Sequence, residues 1–152
     1  MDFQTPEWLC KLMVGMLPKN CETILEPTPG DGNLVMALRE QRPWSRIQAA
    51  VQFWDINERY DAIIMNPPFS PMTKGYEILY RCMELSDVIV ALMPWLTLIN
   101  SEKRTQDIFD FGLSAVVHLP RSTFKGSRVQ TCVLQLEKGF CGTTSLNLIE
   151  HI

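Results

Sequence analysis

Apolar positions along the chain alternate between two periods. Trp8, Leu9, Leu12, Met13 and Met16 recur at helical spacing; Thr5 can cap that helix, Pro6 suits its first turn, and Pro18 ends it. Residues 23–26 predict a short strand, and residues 33–40 a helix with Leu34, Val35 and Leu38 inward. Residues 46–53 have β character, and the run 60–65 reads as a buried strand that stops at two prolines. A helix is expected over 77–85 and an almost continuously apolar strand over 87–93. Ser101 opens a further helix with Ile108, Phe109 and Phe111 buried, and strands follow at 115–119 and 131–136. Strands alternating with helices imply an α/β domain with a mostly parallel central sheet and helices on both faces. Residues 1–140 make that domain; the tail at 141–152 fits either an edge strand or a segment that orders on contact.

Two turns in this pattern carry chemistry. Asn66-Pro67-Pro68-Phe69 follows the buried strand. Neither proline can donate a backbone hydrogen bond and the first restricts its predecessor, so a rigid turn must follow. It would gather a carboxamide, fixed carbonyl oxygens and an aromatic ring at the carboxyl edge of a sheet, where ligands of open α/β folds sit. Burial of Phe69 in a purely structural turn is the competing reading. The second turn, Glu26-Pro27-Thr28-Pro29-Gly30-Asp31-Gly32, joins a strand-end acid to a helix through two glycines that let a ligand approach the backbone.

Composition narrows the classes. The 152 residues are 46% apolar and 20% charged, the profile of one ordinary globular domain. A net charge of −3 provides no overall basic field for nucleic acid, so a polyanion would need a local patch. Lys74 and the group Arg121, Lys125 and Arg128 are the candidates. Five scattered cysteines without a C-x-x-C pair argue for a reducing compartment and against a zinc site; no metal is expected. The longest apolar run, 88–99, contains Pro94 and is too short to span a bilayer, so a cytoplasmic protein with no membrane partner is expected.

Taken together the two turns resemble the S-adenosylmethionine-dependent N6-adenine DNA methyltransferases. Those combine an acid-Pro-x-x-Gly-x-Gly cofactor turn with an Asn/Asp-Pro-Pro-Phe/Tyr clamp. Gln4-Thr5-Pro6 is similar to the family's amino-terminal element at the methionine end of the cofactor. His118-Leu119-Pro120, Phe124-Lys125-Gly126 and Thr131-Cys132-Val133-Leu134 look like the closing strands of restriction-modification enzymes. The resemblance covers residues 3–138 and implies a Rossmann-like class I methyltransferase fold. It also implies S-adenosyl-L-methionine as cofactor and a flipped or single-stranded DNA adenine as target. Asn66, Pro67, Pro68 and Phe69 would clamp the amine; Thr5, Pro6, Glu26, Pro27, Gly30 and Gly32 would contact the cofactor. RNA adenine and protein glutamine are alternative targets for such a clamp.

The sequence departs from that family in one place. Only 33 residues lie between Gly32 and Asn66, too few for the strand-helix-strand passage whose strand-end acid holds the cofactor ribose. One strand-helix unit is expected to be missing, with Asp55 the best remaining acid for the cofactor. The short chain also lacks a target-recognition module. A homo-oligomer or a separate specificity subunit would supply one, and a non-catalytic subunit binding nucleic acid or a protein is the competing function class.

Overall fold

A computed structural model describes residues 4–149. Seven strands form one sheet: β1 (Thr23–Glu26), β2 (Arg46–Ala49), β3 (Ala62–Met65), β4 (Val88–Pro94), β5 (Leu113–His118), β6 (Thr131–Glu137) and β7 (Ser145–Leu148). Their spatial order is β2-β1-β3-β4-β6-β5-β7. Only β6 runs against its neighbours β4 and β5, so β5 points the same way as β1 to β4. The tail contributes β7, an edge strand parallel to β5 and exposed along its length.

Alternation along the central strands sends side chains to two cores. Ile24, Ala62, Ile64, Val90 and Leu92 meet α1 (Glu7–Gly15) and α2 (Asn33–Gln41) on one face. Leu25, Ile63, Met65, Ile89, Ala91 and Met93 meet α3 (Met72–Leu85) and α5 (Glu102–Phe111) on the other; α4 (Leu96–Ile99) is a single turn leading into α5. Burial on both faces explains why β3 and β4 read as unbroken apolar runs.

Several local expectations need correction. Thr5 does not cap α1: Pro6 occupies the cap position and its carbonyl accepts from Leu9 and Cys10. The run 46–53 is a strand only to Ala49, then turns into a 3-10 turn at Phe53–Asp55. Helix α3 begins at Met72, five residues earlier than expected, because the polar start around Gly75 reads as loop although its buried stripe continues through Tyr76, Ile78, Leu79, Cys82 and Leu85. On α5 only Ile108 is fully buried; Phe109, 100° further round, is 52% exposed, and Phe111 packs at the margin.

Between β2 and β3 the chain holds that 3-10 turn and no α-helix, and β2 is the outermost strand on its side. The short spacing before Asn66 thus leaves room for no α-helix between these two strands.

Candidate active site

The parallel direction of β2, β1 and β3 brings their carboxyl ends to one edge, where each hands over to a loop. Glu26, the last residue of β1, pairs in register with Ala49, and its carbonyl accepts from the Ala50 N–H at 3.0 Å. Its chain then turns through Gly30 (φ +51°) and Gly32 (φ +88°), the latter standing as the left-handed cap of α2. Only glycine occupies such conformations without strain.

A relay of polar contacts ties this turn to the clamp. The Thr28 N–H and hydroxyl both donate to Glu26 Oε1, at 2.7 and 3.0 Å. The same hydroxyl oxygen accepts the Asn66 backbone N–H at 3.3 Å, which is within the capacity of one donor and two lone pairs. Asn66 Nδ2 donates to Thr5 Oγ1 at 2.7 Å, while Asn33 Nδ2 donates to the Thr5 carbonyl at 3.0 Å. Three segments, the stretch before α1, the β1–α2 turn and the clamp, are therefore tied to one another around the strand ends.

They enclose a cavity of about 360 Å³, a size suited to a small ligand. Glu26, Pro27, Gly30, Thr5 and Gln4 form one wall; Asn66, Pro67, Pro68, Phe69 and Lys74 form another. Ala50, Val51 and Phe53 close it beside β2, and Phe124 reaches in from the β5–β6 connection. Phe69 is partly buried; it packs against the core shared with α1 and α2 and also lines the cavity. Glu26 is fully buried, its Oε2 has no partner, and burial pushes its carboxyl up from the ordinary 4.5 to about 7, against the opposing pull of the two Thr28 bonds.

The other expected site residues lie elsewhere. Pro6 and Gly32 shape the helix starts without lining the cavity, and Asp55 is exposed on the 3-10 turn, also outside the lining. Arg121, Lys125 and Arg128 are exposed on the β5–β6 connection, on the cavity's edge of the sheet but not in its wall. Thr28, Asn33, Phe53, Ile78 and Phe124 line the cavity without having been singled out as site residues. Thr28 alone had a local signal, a hydroxyl two residues after a strand-end acid. Trp95 does not line it; its indole donates to His118 Nδ1 at 3.0 Å, which gives His118 a structural partner. Among the described residues no cluster of three or more potential metal ligands occurs, and no helix is long and apolar enough to cross a membrane.

No protein-family model matches the sequence, and no curated protein matches it significantly. Solved structures do match in shape. A Listeria monocytogenes protein assigned to the class I S-adenosylmethionine-dependent methyltransferases superposes with a TM-score of 0.75 at 15% identity, over 97% of this chain and 66% of that one. The methyltransferase subunit of a Streptococcus thermophilus type I restriction-modification system gives 0.68 at 18%, over 91% and 45%. A Plasmodium falciparum dimethyladenosine transferase gives 0.61 at 13%, over 91% and 63%. The chain thus spans 45% to 66% of the length of these three structures. Its fold is the Rossmann-like class I methyltransferase fold, with a seven-stranded, mostly parallel sheet.

Proposed function

We propose that this chain transfers a methyl group from S-adenosyl-L-methionine to the N6 amine of adenine in DNA. The observation that carries the reading is one cavity lined by both Asn66 and the buried Glu26, whose segments are joined by the Asn66 backbone N–H donating to the Thr28 hydroxyl and that hydroxyl donating to Glu26 Oε1, while Glu26 Oε2 has no partner among the described residues. The donor set fits the cofactor. Glu26 Oε2 offers an acceptor to an ammonium group, the glycine turn admits a ligand close to the backbone, and the volume suits a nucleoside-sized molecule. Bound there, S-adenosylmethionine supplies a methyl carbon whose bond to sulfur breaks as the amine lone pair attacks, leaving a neutral thioether.

The residues of the chain supply orientation and electrostatics. The Asn66 side-chain oxygen and the Pro67 carbonyl accept the two amine hydrogens, which favours a pyramidal nitrogen and directs its lone pair; one of these protons leaves to solvent after transfer. Phe69 stacks on the base, worth about 1–3 kcal/mol. An adenine reaches such a recess only from a single strand or flipped from a duplex. Lys74 at the cavity wall, and Arg121, Lys125 and Arg128 beside it, meet backbone phosphates. The names of two fold neighbours, a type I restriction-modification methyltransferase subunit and a dimethyladenosine transferase, support an adenine target.

The test is incubation with methyl-labelled cofactor and unmethylated DNA. Label is expected in N6-methyladenine and is expected to fall at least ~100-fold in Asn66→Ala, with cofactor affinity within about threefold of the native chain. Label that persists in Asn66→Ala would overturn the role of Asn66. One observation favours a second reading, a methyltransferase-like subunit that binds nucleic acid or protein without turnover: the lack of an α-helix between β2 and β3. Absence of cofactor binding at millimolar concentration would decide for it.

A further inference from the structure

The cavity crosses three neighbouring strand ends in sheet order, with Ala50 and Val51 after β2, Glu26 on β1 and Asn66 after β3. With the target amine at Asn66, on the reading given above, the sugar of a nucleoside cofactor would lie at the opposite end, beside β2. In dinucleotide-binding α/β folds that strand end carries an Asp or Glu which takes the ribose hydroxyls.

Among the described residues no carboxylate lines this end of the cavity. Its wall is Ala50, Val51 and the ring of Phe53, which is itself braced edge-on by Trp54 at 5.0 Å between ring centres. Among the described residues Glu26 is the only carboxylate lining the cavity; it belongs to β1, and its Oε1 is already held by Thr28. Asp55, the first acid along the chain after β2, is exposed on the 3-10 turn and lies outside the lining. A sugar diol placed here gains no charged acceptor and meets methyl groups and an aromatic ring.

We propose that the chain holds the nucleoside end of its cofactor through apolar contact with Ala50, Val51 and Phe53 and does not read the ribose diol. The ligand class it accepts is correspondingly wider: adenosyl thioethers and sulfonium compounds whose 2′ and 3′ hydroxyls are absent bind as well as the intact ones. A carboxylate that takes such hydroxyls contributes about ten- to a hundredfold in affinity, and that discrimination is what this chain lacks.

Calorimetry on the full chain with S-adenosylhomocysteine and its 2′,3′-dideoxy analogue tests this directly. The two dissociation constants are expected within about threefold of each other, and Asp55→Asn is expected to leave both unchanged. Val51 is 90% exposed at the rim, so Val51→Asp places an acid at the β2 end without disturbing the core; it should strengthen binding of the intact ligand by about tenfold and leave the dideoxy ligand unaffected. A native preference of about thirtyfold or more for the intact ligand would overturn the inference while leaving the methyltransferase reading in place, and its loss in Asp55→Asn would name Asp55 as the diol ligand. A Val51→Asp variant with no diol-selective gain would put the sugar elsewhere and also overturn it. If neither ligand bound, the inference and the cofactor assignment would fall together.

Discussion

The Asn66 carboxamide donates to the Thr5 hydroxyl at 2.7 Å, joining two positions 61 residues apart. That bond holds the amide whose carbonyl arm, on the proposed function, accepts from the target amine, and on that reading Thr5 is a positioning residue for the clamp. Thr5→Val keeps the shape but removes this acceptor, at a cost of about 1 kcal/mol. Methyl transfer is expected to drop about tenfold through turnover, with cofactor affinity nearly unchanged, and Thr5→Ser is expected to restore it. Steady-state kinetics of the three proteins, separating kcat from KM, checks this.

Glu26 makes stability fall as pH rises. Its carboxyl sits near 7 in the folded chain against an ordinary 4.5, chiefly because burial disfavours the charged form. Between those values the folded chain binds more protons than the unfolded one, so the contribution is fully present below about pH 4.5, declines across the window and is gone above pH 7. The total change is roughly 2–4 kcal/mol. Urea unfolding at pH 5 and pH 8 should show it, and Glu26→Gln should remove it. A ligand bearing an ammonium group against Glu26 follows the opposite course, gaining about tenfold in affinity from pH 6 to pH 8 as the carboxylate forms.

Gly75, in the first turn of α3, lies directly beneath the prolines of the clamp. A Cβ there would stand 3.1 Å from the Pro68 carbonyl oxygen and 3.5 Å from Pro67 Cγ. Alanine ordinarily favours a helix over glycine by about 0.5–1 kcal/mol, which offsets much of the crowding. Gly75→Ala should therefore shift stability by less than about 1 kcal/mol while turnover falls about tenfold, because the displaced segment carries the amine acceptors. Denaturant unfolding and label transfer measured on the same preparation separate the two effects.

Arg42 supports the site from a distance. Its buried guanidinium donates to the carbonyls of Pro18, Val14 and Leu17, at 2.5, 3.0 and 2.8 Å, and so closes the end of α1. Those carbonyls lie at the negative end of the helix and lose their donors in Arg42→Met. A loss of about 3 kcal/mol in urea unfolding is expected, with Asn66-dependent chemistry retained in the folded fraction.

The two turns were legible in the sequence because each is a local matter. Two consecutive prolines stop a strand whatever surrounds it, and Gly30 and Gly32 do adopt the left-handed conformations their turn requires. The strand-helix alternation, the unbroken apolar runs of β3 and β4, and the shortage of residues before Asn66 were readable for the same reason: period and length are properties of the chain alone.

What the chain could not disclose was who meets whom. Thr5 looked like a helix cap and became the partner of Asn66; Asp55 looked like the spare acid and lies exposed outside the cavity lining; Phe53 carried no local signal and lines it. The order β2-β1-β3 brings these loops to one edge, and only burial in that assembled edge leaves one Glu26 oxygen without a donor and raises its affinity for a proton. Local sterics depend on neighbours along the backbone, whereas solvent exclusion and side-chain pairing depend on neighbours in space; the former is written in the order of residues, and the latter exists only once the sheet has formed.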